Sequence, residues 1–242
     1  MFTVVLLSLI ALTGAISSPS GYVEPTMSDE LKDVDPTDMS NYFAMGEYYP
    51  PNEVNTLNID WTGGRVEITA YNGADYFVEE AATRQLMENE RLSYKLEGTN
   101  FSVSYTDDKD SFPNDVYKKI EIRLPRDIAR GLKSLNINTN GEIVLKGITA
   151  ENLNVNGKNK KINTIDTYGV NSVITTVDGD IELQVMTNVG YSVDFSSHGG
   201  RLDSYVDNGL NTYVSGDGKY SFKVKTLNGN LDIWPLINEP RD

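Results

Sequence analysis

The stretch Val173–Val185, VITTVDGDIELQV, constrains the fold more than any other part of this chain. Apolar and polar residues alternate, a tight Asp178-Gly179-Asp180 turn interrupts, and the alternation resumes. Strict period two buries one face of a strand and wets the other. Asp and Gly suit a sharp corner, Gly because it accepts the positive φ that such a turn demands. The unit is strand, corner, strand, with one buried stripe.

Versions of this unit recur from Leu57 to Trp234. Leu57, Ile59 and Trp61 lead through Thr62-Gly63-Gly64 into Val66 and Ile68. Leu135 and Ile137 lead through Asn140-Gly141 into Ile143 and Leu145. Leu153 and Val155 precede Asn156–Lys161, then Ile162 and Ile165. Tyr191, Val193 and Phe195 precede His198-Gly199-Gly200 and Leu202, while Phe222 and Val224 precede Leu227-Asn228-Gly229, Leu231 and Ile233. The corners at Gly141, Gly179 and Gly200 lie 38 and 21 residues apart, and a degenerate corner near Asn159 divides the longer interval. A period of about 20 residues signals a solenoid, in which stacked coils bury a core that one coil cannot bury alone. The expectation is an all-β, repetitive β-solenoid or β-helix-like array of short strands with Gly and Asn turns. Asn136, Asn138, Asn154 and Asn156 are placed to stack between coils, and Asn208–Tyr220 is an insertion in the last one.

The remaining segments are less regular. Asn72-Gly73 is a turn before a strand through Tyr76 and Val78, and Leu92–Tyr105 reads as a hairpin. Glu80–Arg91 lacks an apolar stripe and reads as a loop or short helix. Arg126–Lys133 is one helical turn.

Phe2–Ile16 is an apolar run with no charge before Glu24. It is shorter than the roughly 20 apolar residues that span a bilayer, and its length suits a secretory core segment with cleavage after Ser17. Ser18–Tyr49 is rich in Ser, Pro, Asp and Glu and has no sustained period, as in an acidic spacer. Its aromatic end, Asn41–Tyr49, can dock as a lid on the array, whose terminal face needs cover. The chain therefore divides into residues 1–17, a signal peptide or N-terminal membrane anchor; 18–50, an acidic disordered linker; 51–234, the β-solenoid domain; and 235–242, a C-terminal tail.

The net charge of −14 excludes a nucleic-acid partner, which needs a basic surface. Residues 24–53 hold eight acids and one lysine, whereas residues 118–161 hold ten Lys and Arg against four acids. The absence of cysteine removes disulfides and thiol nucleophiles. His198, the one histidine, sits beside Gly199-Gly200 as an ordinary turn residue. Asp178, Asp180, Glu182 and Asp203 are the carboxylates that a β-helix glycosidase would use in pairs. Turn chemistry alone accounts for the first two. Asp107, Asp108 and Asp110 form an oxygen-rich loop, and Ser215-Gly216-Asp217-Gly218 is a turn with one acid. Neither matches an established calcium loop. No cofactor is implied.

The unit L-x-I-x-x-x-x-G-x-I-x-L, ending in Thr226–Leu231, together with "LNIDWTGGRVEI", "LSYKLEGTNFSVSY" and "IEIRLP", resembles the DUF4097 family of putative adhesins over about residues 50–234. The resemblance implies a β-solenoid-like fold, association with the bacterial cell envelope, and no established catalysis; some relatives are linked to envelope-stress sensing. It brings no site residues with it. The resulting expectation is a non-enzymatic, exported binding or scaffold module of the envelope, periplasm or cell surface. Its partner would be an envelope polymer, a lipid or another envelope protein, with peripheral or anchored membrane association. Lys158, Lys160 and Lys161, with Arg123, Arg126 and Arg130, are the candidate patch for an anionic ligand. A carbohydrate-active β-helix enzyme using paired carboxylates is the alternative.

Overall fold

The computed structural model describes residues 43–49, 54–62, 64–105, 116–205 and 211–236. The signal or anchor segment, most of the acidic linker, the Asp107–Asp110 loop and the last six residues lie outside them. In chain order the first strands are β1 (Phe43–Tyr49), β2 (Thr56–Trp61), β3 (Arg65–Tyr71), β4 (Tyr76–Ala82), β5 (Ser93–Glu97), β6 (Asn100–Ser104) and β7 (Lys118–Pro125). One helical turn, α1 (Arg126–Ala129), precedes β8 (Leu132–Thr139), β9 (Glu142–Lys146), β10 (Thr149–Asn156), β11 (Ile162–Ile165), β12 (Tyr168–Thr175) and β13 (Ile181–Val185). The last are β14 (Tyr191–Ser197), β15 (Leu202–Ser204), β16 (Thr212–Ser215), β17 (Tyr220–Thr226) and β18 (Leu231–Pro235).

These strands make two nine-stranded sheets. Sheet A has the order β1-β4-β7-β3-β9-β11-β13-β18-β15, and sheet B the order β16-β14-β17-β12-β10-β8-β2-β6-β5. Both are mixed. From β7 to β15 in sheet A, and from β14 to β6 in sheet B, every pairing is parallel. The antiparallel strands β4 and β1 extend one end of sheet A, and β16 and β5 flank sheet B. The all-β expectation holds, in the form of two mixed sheets.

Each two-strand unit contributes its first strand to sheet B and its second to sheet A, so two strands joined by a corner never pair with each other. The units are not stacked in the order they occur along the chain. β6 and β7 lie outside β2 and β3, and β17 and β18 fill the space between β12/β13 and β14/β15. The 21-residue interval between Gly179 and Gly200 is therefore not an interval between neighbours. In the stretch around Asn208–Tyr220, expected to be an insertion in the last coil, the described residues form β16, which pairs antiparallel with β14, and lead into β17. Phe43–Tyr49, at the end of the expected disordered linker, forms β1 alongside β4. Glu80–Arg91 is neither wholly loop nor helix: β4 runs on to Ala82, and Glu88–Glu90 make one 3-10 turn.

Alternation puts like over like. Leu57, Leu135 and Leu153 are in register in sheet B, as are Val103, Ile59, Ile137, Val155, Ile174, Val224 and Phe195. Ile120, Val66, Ile143, Ile162, Ile181, Leu231 and Leu202 form the matching column in sheet A. The inward columns of the two sheets supply one buried core.

The corners stack as tightly as the strands. Cβ atoms on Gly229 and Gly200 would stand 2.1 Å from the Gly179 carbonyl oxygen and 1.9 Å from that of Gly229, respectively. None of these three glycines has a positive φ. Their role is close approach between corners rather than a left-handed backbone, a correction to the turn argument above. Each corner is also pinned from within. The Gly179 and Gly200 amides donate to Thr176 Oγ1 (3.2 Å) and Ser197 Oγ (2.7 Å), and Thr226 Oγ1 donates to the Gly229 carbonyl (2.6 Å).

A lysine is built into the β1–β7 end. Lys118 is fully buried, and its Nζ lies 2.5 Å from Glu80 Oε1. It also donates to the carbonyls of Glu90 (2.6 Å) and Tyr105 (2.7 Å), and sits 4.0 Å from the Tyr105 ring centroid. Glu80 accepts in addition from the Leu92 amide at 3.1 Å. Burial pushes the Glu80 carboxyl up and the Lys118 ammonium down, against the attraction between them. Three donated contacts use all three ammonium protons, which is what makes a buried lysine tolerable.

Two substitutions test this account. Gly229→Ala pushes a methyl into the Gly179 carbonyl and should cost about 2–4 kcal/mol in urea unfolding. Thr164 is 1% exposed, stacks between Leu145 and Leu183, and its Oγ1 has no hydrogen-bond partner. Thr164→Val should therefore stabilise by about 1–2 kcal/mol; a loss of stability would contradict the packing described.

Candidate functional site

The outward columns of the two sheets differ in chemistry. In sheet B, Ser102, Asn58, Asn136 and Asn154 form one column, and Ser104, Asp60, Asn138, Asn156 and Thr175 a second, two residues further along each strand. The asparagines expected to stack do so, each amide bonded to the next. Asn154 Nδ2 donates to Asn136 Oδ1, and Asn136 Nδ2 to Asn58 Oδ1, both at 2.8 Å. In the second column Asn156 Nδ2 donates to Asn138 Oδ1, and Asn138 Nδ2 to Asp60 Oδ1, both at 3.1 Å. Thr175 Oγ1 continues the row to Asn156 Oδ1 at 3.0 Å. Between the columns runs an open groove of about 440 Å³, floored by the backbones of Val103, Ile59, Ile137 and Val155.

Sheet A presents an ion-pair lattice instead. Arg65 pairs with Glu67 (2.9 Å) and Glu142 (3.6 Å), Lys146 with Glu67 (2.6 Å), Arg123 with Glu121 (2.6 Å) and Lys161 with Glu182 (2.5 Å). Burial raises the Glu67 carboxyl, but Lys146 and Arg65 outweigh it and hold the group below its ordinary value.

The six basic residues expected to form one patch are not brought together. Lys158, Lys160 and Lys161 occupy the exposed corner after β10. Arg126 opens α1 and Arg130 follows it, before β8 begins, at the opposite end of the parallel strands. Arg123 lies on β7 over the Phe77 ring, at 4.3 Å, and Arg130 is paired with Asp166. Strands of this length separate the two corners by about 20 Å. Sequence alternation shows which residues point outward, but not at which end of a strand a corner lies.

The candidate carboxylates divide in the same way. Asp178 Oδ1 accepts from Asn228 Nδ2 at 2.6 Å, and Asp180 Oδ1 accepts from the Asn230 amide at 2.8 Å and its side chain at 3.0 Å. Both hold one corner against the next. Glu182 and Asp203 point out of sheet A with Asp232, unnoticed in the sequence, in register between them. Burial first, then the like charges of Asp203 and Asp180, raise the Asp232 carboxyl. Like charges directly opposite on neighbouring strands oppose pairing.

His198 donates its backbone amide to the Leu227 carbonyl at 3.0 Å, in the corner. Asp217 Oδ1 accepts from the Lys219 amide at 3.1 Å, as a turn acid does. Among the described residues, no group of three or more His, Cys, Asp or Glu is placed to hold a metal ion, and no helix is long and apolar enough to cross a membrane.

No protein-family model matches this sequence, and no curated protein matches it. Solved structures do. A putative cell adhesion protein from Clostridium sporogenes superposes with a TM-score of 0.61 at 14% identity, covering 81% of this chain and 100% of that one. A putative adhesin from Bacteroides fragilis gives 0.40 at 12% identity, over 80% of this chain and 97% of that one. A putative lipid binding protein from Parabacteroides distasonis gives 0.39 at 14% identity, over 79% and 76%. The first of these has the same fold as this chain.

The Asp232 row supplies a pH test. Its carboxyl is harder to ionise in the folded than in the unfolded chain, so ionisation costs stability. That cost is present above the raised folded value and disappears as pH falls below the ordinary value of 3.8. Asp232→Asn should raise the Tm at pH 7, with the gain closing toward pH 3; a gain constant across that range would refute the charge argument.

Proposed function

We propose that this chain is a non-enzymatic binding module, adhesin-like in character, exported and held at the bacterial cell envelope. The observation that carries this reading is the use made of its chemistry-bearing side chains. Asp178 and Asp180 are spent on corner-to-corner hydrogen bonds, and Glu182 on Lys161. What the fold leaves to the outside is two broad, regular faces, one of ion pairs and one of amides. Faces of that kind act by contact.

The finer parts of the reading follow. The parallel middle of both sheets is a short two-sided solenoid, and β1, β5 and β16 cover its ends. The apolar segment of residues 1–17 directs export or anchors the chain, and the acidic residues after it hold the folded part away from the membrane. A fold shared with a putative cell adhesion protein is in keeping with this role. An envelope-stress sensor would use the same faces through a partner protein.

Cell fractionation of the full chain, with N-terminal sequencing of the product, tests export: the expected result is recovery in the envelope or medium. Incubation with a panel of polysaccharides tests the absence of catalysis. Release of reducing ends that Asp180→Asn abolishes would replace this reading with the glycosidase.

A further inference from the structure

Resting on the binding-module reading, we propose that the groove of sheet B takes a neutral, hydroxyl-rich polymer, an uncharged polysaccharide chain lying along the stack between the two amide columns. The first argument is charge. The chain carries −14 overall, yet the groove lining contains one ionisable residue, Asp60, and that carboxylate accepts from Asn138. No base lines it, so nothing there draws an anionic polymer. Charge returns only past the two ends of the first column, where Lys95 is next in register to Ser102 and where Lys223, then Asp194, follow Val173.

The second argument is hydrogen bonding. An asparagine amide offers two N–H donors and two carbonyl lone pairs. The ladder engages one donor each of Asn136, Asn138, Asn154 and Asn156, so each amide retains an N–H to give; Asn138, Asn154 and Asn156 also retain accepting capacity, whereas Asn136 Oδ1 already accepts from Asn154 and Ser134. A hydroxyl group likewise gives and accepts, whereas a phosphate or carboxylate only accepts. The ladder also holds the amides in place before any ligand arrives, which lowers the ordering cost of binding.

The third argument is repeat and shape. The groove crosses five adjacent strands, β6, β2, β8, β10 and β12, a span of about 19 Å at the usual strand spacing. Sugar units of an extended chain present hydroxyls at a similar interval, so one polymer can meet several rungs with the same contact. No aromatic ring lines the groove. Each contact is therefore weak, and retention comes from their number.

The experiment is co-sedimentation of the full chain with insoluble cellulose, β-1,3-glucan, mannan and xylan. Agarose-coupled polygalacturonate and phosphatidylglycerol vesicles serve as the anionic and lipid arms. The expected result is retention on at least one neutral polymer. Asn154→Lys with Asn156→Lys, exposed on either side of the groove, should lower that retention at least tenfold. Gln184→Lys on sheet A should leave it unchanged. If the double variant melts early, Asn156→Lys alone serves. Retention that survives both variants, or capture only by polygalacturonate or vesicles, would overturn this inference while leaving a binding module. Failure to bind any of the neutral polymers would overturn it too. Hydrolysis of a bound polymer would overturn the binding-module reading itself.

Discussion

Parallel strands in register place identical positions of successive units one above another, and every other feature of this molecule answers to that constraint. On the inside it is easily met. Leu57 over Leu135 over Leu153 forms a continuous apolar column, and nearly all of the burial that stabilises the fold comes from such columns. At the corners it is met only by removing side chains. Gly229 fits against the carbonyl of Gly179, and Gly200 against that of Gly229, because neither carries a Cβ. Where the inner column accepts a misfit, as at Thr164, a buried hydroxyl goes unpartnered.

On the outside the same register is a liability, because a charge repeated on every strand repels its own copies. The two sheets solve this differently. Sheet A mixes signs, so that Glu67 is shared by Arg65 and Lys146 and Lys161 answers Glu182. The middle of sheet B carries little charge and uses asparagine, whose amide is both donor and acceptor and so bonds to its own copy above and below. The row Glu182–Asp232–Asp203 follows neither rule, and the raised Asp232 carboxyl is its consequence. The near-neutrality of these central strands is thus a structural solution first, and the groove between their amide columns is a by-product available for binding.

Much of this is legible in the chain because it is local. Alternation in Leu57–Trp61 or Ile181–Val185 marks strands with one buried face, and the corner glycines mark where each unit turns. The stacked asparagines follow from the same repeat. The order of units is not local. Nothing in the composition of β14 or β17 says that the later one lies inside the earlier, because both carry the same inward pattern. Lys118 shares the inward parity of Ile120, Ile122 and Leu124 in KKIEIRLP, but a lysine at the start of a strand carries no sign of a buried partner. Only the placement of Glu80, Glu90 and Tyr105, distant in the chain, shows it to be interior. The basic residues of the 118–161 segment look like one patch in sequence because corners at opposite ends of a strand are only a few residues apart.

The crossed order at the two ends has its own logic. A stack that simply stopped would expose a full strand edge on each sheet, open to pairing with another chain. Here, at the first end, β7 is covered by β4 and then β1, and β6 by β5. At the other, β14 is covered by β16, and the remaining edge strand, β15, is three residues long. Reaching outward before filling inward places β18 in the interior, between β13 and β15, with Leu231 and Ile233 fully buried. The last strand is thereby fixed on both sides, and at this end the edge strands among the described residues, β15 and β16, are only three and four residues long. What remains available to a partner is the faces, and of the two, the amide face is the one whose binding groups are not already satisfied by opposite charge.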